Sequence, residues 1–208
     1  MVLSDALPGH WTAYSYPSLG RVRPADGPGV LHNNAYALGL VTDLRGRPLW
    51  HHGMTRDTAG TWGILADLVG DGTNEFVHAQ PDGVVRCFDV AAPRPRCATC
   101  PPGTPGASDP VSGADPGRWS TDLKRPVSRM AAADLDADGR QELVLGCSDG
   151  NLYALAERSG GARVLWSVSL GRRVGEPVLA DLDGDDRAEI LVGTEAGRLY
   201  CLRGDRDR

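Results

Sequence analysis

The sequence predicts an all-β fold built of repeated four-stranded antiparallel units, and three observations support this. Glycine (27) and proline (15) are abundant among the 208 residues, which suits many tight turns. No stretch keeps an apolar helical period over about eleven residues. A segment that combines an acidic loop with short apolar runs is also repeated along the chain. Internal repetition of this kind is typical of proteins assembled from stacked units.

Three copies of this segment stand out. The two clearest are "AAADLDADGRQELVLGCSDGNLYAL", which begins at Ala131, and "VLADLDGDDRAEILVGTEAGRLYCL", which begins at Val178. An earlier copy, "ILADLVGDGTNEFVHAQPDGVVRCF", begins at Ile64. Each copy has apolar residues before the loop, an acidic residue at the end of the loop, and two further apolar runs separated by a turn.

A tryptophan marks the start of each repeat. Trp50, Trp119 and Trp166 precede the three acidic loops at similar distances, and Trp11 opens a degenerate first unit. We expect these side chains to open outer strands and to pack between neighbouring sheets. They predict repeats at roughly 11–49, 50–90, 118–165 and 166–204 within a single domain of residues 1–208. The Pro- and Gly-rich residues 91–117 are predicted to be an irregular insertion.

Each repeat is predicted to contain four short strands. In the third repeat they cover residues 129–133, 142–146, 151–156 and 164–169, and turn residues bound them. Four strands in a unit of roughly 40–50 residues are typical of a β-propeller blade. The predicted fold is therefore an all-β propeller of four-stranded antiparallel blades, with about four repeats present.

The loop pattern D-L-D-x-D-G-x-x-E, with the later "LYAL" and "LYCL", resembles the FG-GAP/VCBS-type propeller repeat of integrin α-subunit heads and many bacterial extracellular proteins. The trailing strands are also similar to those of quinoprotein-like blades. The resemblance covers residues 50–203 well and residues 11–49 weakly. It implies calcium in the loop between the first and second strands of a blade.

The residues of the acidic loops suit calcium, which binds about six to eight oxygen atoms. Carboxylates at loop positions 1, 3, 5 and 9 and the backbone carbonyl at position 7 can face one centre. In the two complete loops the predicted ligands are Asp134, Asp136, Asp138, Arg140 (carbonyl) and Glu142, and Asp181, Asp183, Asp185, Arg187 (carbonyl) and Glu189. The second repeat has Val69 at position 3 and is predicted to hold a weaker site of Asp67, Asp71, Thr73 and Glu75.

Other interpretations of these loops are possible. Asp and Gly are ordinary turn residues, so solvated turns are the simplest alternative. An EF-hand is excluded, because its closing glutamate comes later in the loop and lies between helices. Catalytic carboxylates need separate environments in a cleft. These carboxylates instead converge, and a cation that removes their repulsion would tie two strands together.

Five cysteines do not form a disulfide framework in a chain of this length. Cys97 and Cys100 form a lone C-x-x-C, for which a local disulfide or plain thiols are expected. Cys87, Cys147 and Cys201 lie in or beside predicted strands and are expected to be small buried apolar residues.

The sequence does not decide how the propeller ring closes. The last repeat has three strands, and residues 11–15 resemble an outer strand that could complete it. Closure could make a four-bladed ring or an eight-bladed homodimer. Alternatively, the chain is a fragment of a larger propeller, as most FG-GAP-like propellers have more than four blades.

The predicted function is a calcium-binding interaction module for a protein or carbohydrate ligand. The net charge of −5 does not indicate a nucleic-acid-binding surface, which is normally basic. No apolar run is long enough to insert into a membrane. No catalytic or cofactor-binding residue is predicted. The enzymatic alternative is the scaffold of a polysaccharide lyase or a quinoprotein dehydrogenase. Family resemblance favours an extracellular or periplasmic location, although the chain shows no signal peptide.

Overall fold

The computed structural model describes residues 17–25, 27–34, 38–53, 62–79, 82–91 and 117–204, which form fifteen strands in four antiparallel sheets. No helix occurs in these ranges. The prediction of an all-β fold made of antiparallel sheets is confirmed.

The strands follow one another in chain order within each sheet. The first sheet contains β1 (Ser18–Arg23), β2 (Gly27–Asn34), β3 (Leu38–Asp43) and β4 (Pro48–Gly53). The second contains β5 (Trp62–Ala66), β6 (Glu75–Ala79), β7 (Val84–Phe88) and β8 (Trp119–Asp122). The third contains β9 (Val127–Ala133), β10 (Glu142–Cys147), β11 (Asn151–Arg158) and β12 (Gly161–Ser169). The fourth contains β13 (Val174–Ala180), β14 (Glu189–Thr194) and β15 (Leu199–Arg203).

The four sheets are arranged as consecutive propeller blades. The first strand of each sheet contacts the first strand of the next, so β1, β5, β9 and β13 form the inner part of the assembly. Tight turns join the strands, and the β10–β11 turn places Gly150 at a φ of 87°, a left-handed conformation that favours glycine. The second, third and fourth sheets each begin on the strand before an acidic loop. The predicted repeat limits begin one strand earlier, at the tryptophan.

Each blade has two faces with different neighbours. We call the face toward the following blade the rear face and the face toward the preceding blade the front face. One cross-strand row on each rear face, the rear row, runs from the inner to the outer strand. The rear rows are Ser18, Leu31, Val41 and Trp50 in the first blade, Ile64, Val77, Cys87 and Trp119 in the second, Ala131, Val144, Ala154 and Trp166 in the third, and Val178, Leu191 and Cys201 in the fourth.

Apolar cores fill the three junctions between blades. The rear rows of the first three blades supply one side of each core, and the front faces of the next blades supply the other. Val41, Val77 and Val144 are fully buried in these junctions. Both faces of an internal blade are covered, which explains why strands such as β10 are continuous apolar runs.

The three described tryptophans of the rear rows each reach the following blade. The ring of Trp50 packs edge-on against Phe76, with centroids 5.2 Å apart. Trp119 Nε1 donates a hydrogen bond of 2.7 Å to Glu157 Oε2, and Trp166 Nε1 donates one of 3.1 Å to the carbonyl of Gly204. The outer strands are therefore held to the next blade by aromatic contacts and by directed hydrogen bonds.

One expectation about the cysteines is wrong. Cys87 and Cys147 are free and buried, but Cys201 is free and exposed. Cys201 occupies the same position in its rear row as Cys87, and no described sheet covers the rear face of the fourth blade. The predicted pair Cys97 and Cys100, the bulk of the insertion and the strand-like residues 11–15 lie outside the described residues.

The acidic loops as a candidate metal centre

Each acidic loop connects the first and second strands of its blade, as predicted from the sequence. The loops join β5 to β6, β9 to β10 and β13 to β14. Because the first strands of consecutive blades pack side by side in the same direction, the three loops emerge on the same side of the assembly. Apolar residues on both sides of each loop anchor its ends in the inter-blade cores.

In each complete loop the carboxylates at positions 1, 3 and 9 converge. The oxygens of Asp134, Asp136 and Glu142 lie within 4.8 Å of one another in the third blade. The corresponding oxygens of Asp181, Asp183 and Glu189 do the same in the fourth blade. Three of the five predicted ligands thus meet in each loop, in an arrangement that a single cation could bridge.

The remaining predicted ligands have a different local role in the structure. Asp138 Oδ1 accepts a hydrogen bond of 2.9 Å from the amide of Arg140, and Asp185 Oδ1 accepts one of 3.0 Å from the amide of Arg187. Both aspartates therefore close a turn on the residue two positions later. Neither Asp138 nor Asp185 belongs to the converging carboxylate groups.

The aspartate at position 1 organises the backbone of the loop. Asp134 Oδ2 accepts a hydrogen bond of 2.9 Å from Gly139, and Asp181 Oδ2 accepts one of 3.1 Å from Asp186. These donors have left-handed φ values of 85° and 66°. Glycine tolerates this conformation freely and aspartate better than most residues, which explains why both occur at this position.

The glutamate at position 9 is the buried member of each group. Glu142 has no exposed surface, and its Oε2 accepts a hydrogen bond of 2.9 Å from the amide of Leu135. Glu189 Oε2 accepts the corresponding bond from Leu182, also at 2.9 Å. Glu142 Oε1 is buried and accepts no hydrogen bond. A buried carboxylate oxygen without a donor is costly, so this atom is suited to a cation.

The burial of Glu142 affects its ionisation. Burial raises the pKa of Glu142 to about 7, and the charges of Asp136 and Asp138 add to this effect. The amide of Leu135 and the charge of Arg158 oppose it. A cation bound among these carboxylates would favour the ionised form instead.

Arginine side chains that the loop pattern does not predict approach both converging groups. Arg158 Nη2, at the end of β11, lies 3.3 Å from Asp138 Oδ2 and 3.8 Å from Glu142 Oε1. It also lies 3.8 Å from Asp136 Oδ2. Arg203 Nη2, at the end of β15, lies 2.9 Å from Asp183 Oδ2. These guanidinium groups neutralise part of the acidic charge. The only sequence signal for these two contacts is an arginine at the end of the third strand in the third and fourth blades.

The loop of the second blade has the same turns as the complete loops but lacks their converging carboxylates. Asp71 Oδ1 accepts hydrogen bonds from the amide of Thr73 at 2.8 Å and from its hydroxyl at 2.6 Å. Glu75 is buried and accepts a bond of 3.0 Å from Leu68, and burial raises the pKa of Glu75 to about 7. Among the described residues, no converging group of three carboxylates forms in this loop. Val69 supplies no oxygen at position 3, where the complete loops have Asp136 and Asp183.

A carboxamide at position 8 joins two loops to the preceding blade. Gln141 Oε1 accepts a hydrogen bond of 2.8 Å from the amide of Asp67, and the amide of Gln141 donates one of 2.8 Å to the Asp67 carbonyl. Asn74 makes the same pair of contacts with Arg21, both at 2.6 Å. These contacts were not predicted from the sequence. Their recurrence at one loop position was the available signal.

The described cysteine thiols in the core are poor nucleophiles. Burial raises the pKa of Cys147 to about 12, and burial raises the pKa of Cys87 even further. The thiolate is the reactive form of cysteine, so both residues act as apolar packing groups.

The fold and the loops define a propeller assembly with acidic inter-strand loops, and the comparisons with known proteins agree. The model of the FG-GAP-like repeat matches residues 125–192. This span contains the third blade and the first part of the fourth, including both complete acidic loops. The resemblance to an FG-GAP-type repeat is therefore confirmed for this part of the chain. No curated protein sequence matches the chain.

Solved β-propellers share the fold. BBS1N, in a crystal with ARL6DN soaked with mercury, aligns with 95% of this chain and 53% of its own, at 11% identity and a TM-score of 0.60. Sqt1 of Saccharomyces cerevisiae aligns with 96% of this chain and 47% of its own, at 14% identity and a TM-score of 0.59. The Cps50 (Swd1) β-propeller domain of Myceliophteria thermophila aligns with 89% and 52%, at 14% identity and a TM-score of 0.52. The chain spans about half the length of these structures.

In the part of the chain that the structure describes, no helix is long and apolar enough to cross a membrane.

Proposed function

We propose that the loops of the third and fourth blades bind Ca²⁺ and that the cation stabilises a propeller module for protein or carbohydrate binding. The observation that carries the calcium part is Glu142 Oε1, which is buried, accepts no hydrogen bond and belongs to the group of Asp134 and Asp136. Hard oxygen donors of this kind suit Ca²⁺. The cation would supply charge neutralisation between two strands and no chemical step.

In each loop the carboxylates at positions 1, 3 and 9 are the ligands that we propose to hold the ion. Asp138, Asp185 and the carbonyls of Arg140 and Arg187 would complete the coordination after local rearrangement. The second blade, with no acid at position 3, is proposed to bind calcium weakly.

Calcium-binding extracellular modules have dissociation constants of roughly 10⁻⁴–10⁻³ M. An extracellular or periplasmic location, with abundant calcium, is the compartment we propose.

The binding role is supported by the exposed loops and by the fold. Propellers present their inter-strand loops on a rigid frame, and functional residues are often carried on such loops. BBS1N, which shares the fold, was crystallised in complex with ARL6DN. The ligand of this chain is proposed only by class, as a protein or a carbohydrate.

Thermal unfolding with calcium and with EGTA tests the metal sites. The wild type is compared with Asp136→Ala/Asp183→Ala, which removes one ligand from each complete loop. Glu176→Ala/Glu195→Ala is the matched control, because it removes two exposed carboxylates outside the loops. Calcium at a hundredfold excess over its dissociation constant should stabilise the wild type and the control by about 2.7 kcal/mol per site. The loop variant should gain much less. An unchanged wild type would show that the loops are turns without a metal.

Binding to panels of immobilised glycans and proteins, with calcium and with EGTA, tests the interaction role. A ligand that binds only with calcium would support both parts of the proposal. The absence of any ligand would leave the chain as a scaffold, and turnover of an acidic polysaccharide would favour the enzymatic class.

A further inference from the structure

The rear row of the fourth blade lacks the cover that the other three rear rows have. In the first three blades the residues of this row on the second and third strands are all fully buried against the following blade: Leu31 and Val41, Val77 and Cys87, and Val144 and Ala154. In the fourth blade Val178 is 57% exposed, and Cys201 is exposed. Leu191, between them, is partly exposed. The residues are apolar at each of these positions although no described sheet covers them.

Further apolar surface lies beside this row. Leu199, on the edge strand β15, is 73% exposed, and Leu182, at the start of the acidic loop, is 54% exposed. A concentrated apolar surface of this kind marks an interaction site. Because the row has the register and composition of a junction between blades, its natural cover is the front face of another blade.

Among the described blades, the first is the one whose front face no other described blade covers. The second, third and fourth blades already use their front faces against the preceding blades. Leu19, on β1, is 67% exposed. Its counterpart in the second blade is Leu65, which is 6% exposed and packs in the junction with the first blade. Val30, beside Leu19 on the same face, is also partly exposed.

No strand of the fourth blade makes extensive contact with a strand of the first blade in the described chain. The four blades therefore end in two complementary apolar faces that do not cover each other. One face is the rear of the fourth blade, and the other is the front of the first blade.

We propose that two copies of this chain associate head to tail, with the fourth blade of each copy packed on the first blade of the other. The two junctions are related by a two-fold axis and close an eight-bladed ring. Heterologous contacts form a ring when the rotation closes, and propellers of about four to eight blades are known. The chain aligns with 53% of BBS1N and 47% of Sqt1, so two copies provide about the number of blades in one such ring.

Sedimentation velocity over a series of protein concentrations tests the association. The wild type is expected at twice the 22.1 kDa mass of one chain. Val178→Asp places a charge on the rear face of the fourth blade. Leu19→Asp places a charge on the front face of the first blade. Each variant alone should sediment as a monomer. Leu44→Asp is the matched control, because Leu44 is 68% exposed in a turn, and it should dimerise like the wild type.

Mixing the two interface variants tests the head-to-tail geometry. Neither variant alone retains an intact junction. A mixture retains one junction, between the first blade of Val178→Asp and the fourth blade of Leu19→Asp, so a one-to-one heterodimer should form with weaker affinity than the wild type. A face-to-face dimer of two fourth blades would not respond to Leu19→Asp and would overturn the proposal.

The unmodified protein provides an independent measurement. Alkylation of Cys201, followed by peptide mass spectrometry, should slow as concentration rises, because the dimer covers this thiol. Circular dichroism must show that each monomeric variant keeps its β-sheet spectrum. A monomeric wild type at its highest soluble concentration, or a mass that grows without limit as in an open polymer, would overturn the proposal.

Discussion

Trp119 Nε1 and Glu157 Oε2 form a hydrogen bond of 2.7 Å that joins the outer strand of the second blade to the third strand of the next. Arg118 Nε lies 2.7 Å from the other oxygen of the same carboxylate. Glu157 is 6% exposed, so its charge is buried but satisfied on both oxygens by the neighbouring blade. The outer edge of this junction therefore depends on a specific charged acceptor as well as on apolar packing.

The substitution Trp119→Phe should destabilise the protein by about 1–3 kcal/mol, since one buried carboxylate oxygen loses its donor. Urea unfolding at neutral pH measures this effect. Trp166→Phe is the matched control because it removes a similar volume at the next junction. The Trp166 hydrogen bond of 3.1 Å goes to a neutral carbonyl. Trp166→Phe should therefore lower the unfolding free energy by less than Trp119→Phe does. An equal or larger loss for Trp166→Phe would contradict the importance of Glu157.

The close approach of two blades at Gly146 gives a second prediction. A Cβ atom at this position would clash with the carbonyl oxygen of Gly175 in the fourth blade. A backbone atom cannot move aside as a flexible side chain can. Gly146→Ala should therefore lower the unfolding free energy by roughly 1–3 kcal/mol. Gly161→Ala is the control, because no atom lies within 4 Å of its added Cβ. Differential scanning calorimetry should show a lower unfolding temperature for Gly146→Ala alone, and similar values for both variants would refute the close packing.

The position of Arg158 among the loop carboxylates gives a third prediction, which rests on calcium binding. The guanidinium group must give way when a cation binds beside Asp136 and Glu142. Partly exposed ion pairs contribute about 0.2–1 kcal/mol, so Arg158→Ala should tighten calcium binding up to roughly fivefold. Isothermal titration calorimetry measures the change. Arg163→Ala removes an exposed arginine from the outer strand of the same blade and is the control. Weaker binding by Arg158→Ala would mean that Arg158 supports the site instead of competing with the cation.

The raised pKa of Glu75 predicts a pH dependence of stability without calcium. Burial raises this pKa from 4.5 to about 7, so the folded protein holds a proton that the unfolded chain releases between these values. The unfolding free energy should therefore fall as the pH rises through this range, and Glu75 alone contributes up to about 3 kcal/mol of this change. Glu75→Gln removes that contribution, so it should be more stable than the wild type at about pH 8 and similar at about pH 5.

Urea unfolding in EGTA at both pH values measures this difference. Glu195→Gln changes an exposed glutamate and should follow the wild type throughout. The assignment to Glu75 fails if the stability difference between Glu75→Gln and the wild type is the same at both pH values. Glu142 also has a pKa raised to about 7, so some pH dependence should persist in Glu75→Gln.

Much of the fold follows from local sequence. The four strands of the third repeat were placed by their apolar runs and turn residues, and the observed β9–β12 extend the predicted limits by a few residues. The loop positions of Asp134, Asp136 and Glu142 followed from their spacing together with the resemblance to the FG-GAP-type repeat. The contacts of Arg158, Gln141 and Glu157 could not be predicted in this way, because each depends on how separate strands or blades are aligned.

The sequence by itself determined the class of fold, the number of repeats and the acidic loops that begin with Asp67, Asp134 and Asp181. These features depend on short-range periodicity and on turn residues, which the chain carries wherever it folds. Only the tertiary structure decided that Cys201 is exposed whereas Cys87, at the same position of its repeat, is buried. The physical reason is that burial depends on a neighbouring blade, and a residue's own repeat contains no information about whether that neighbour is present.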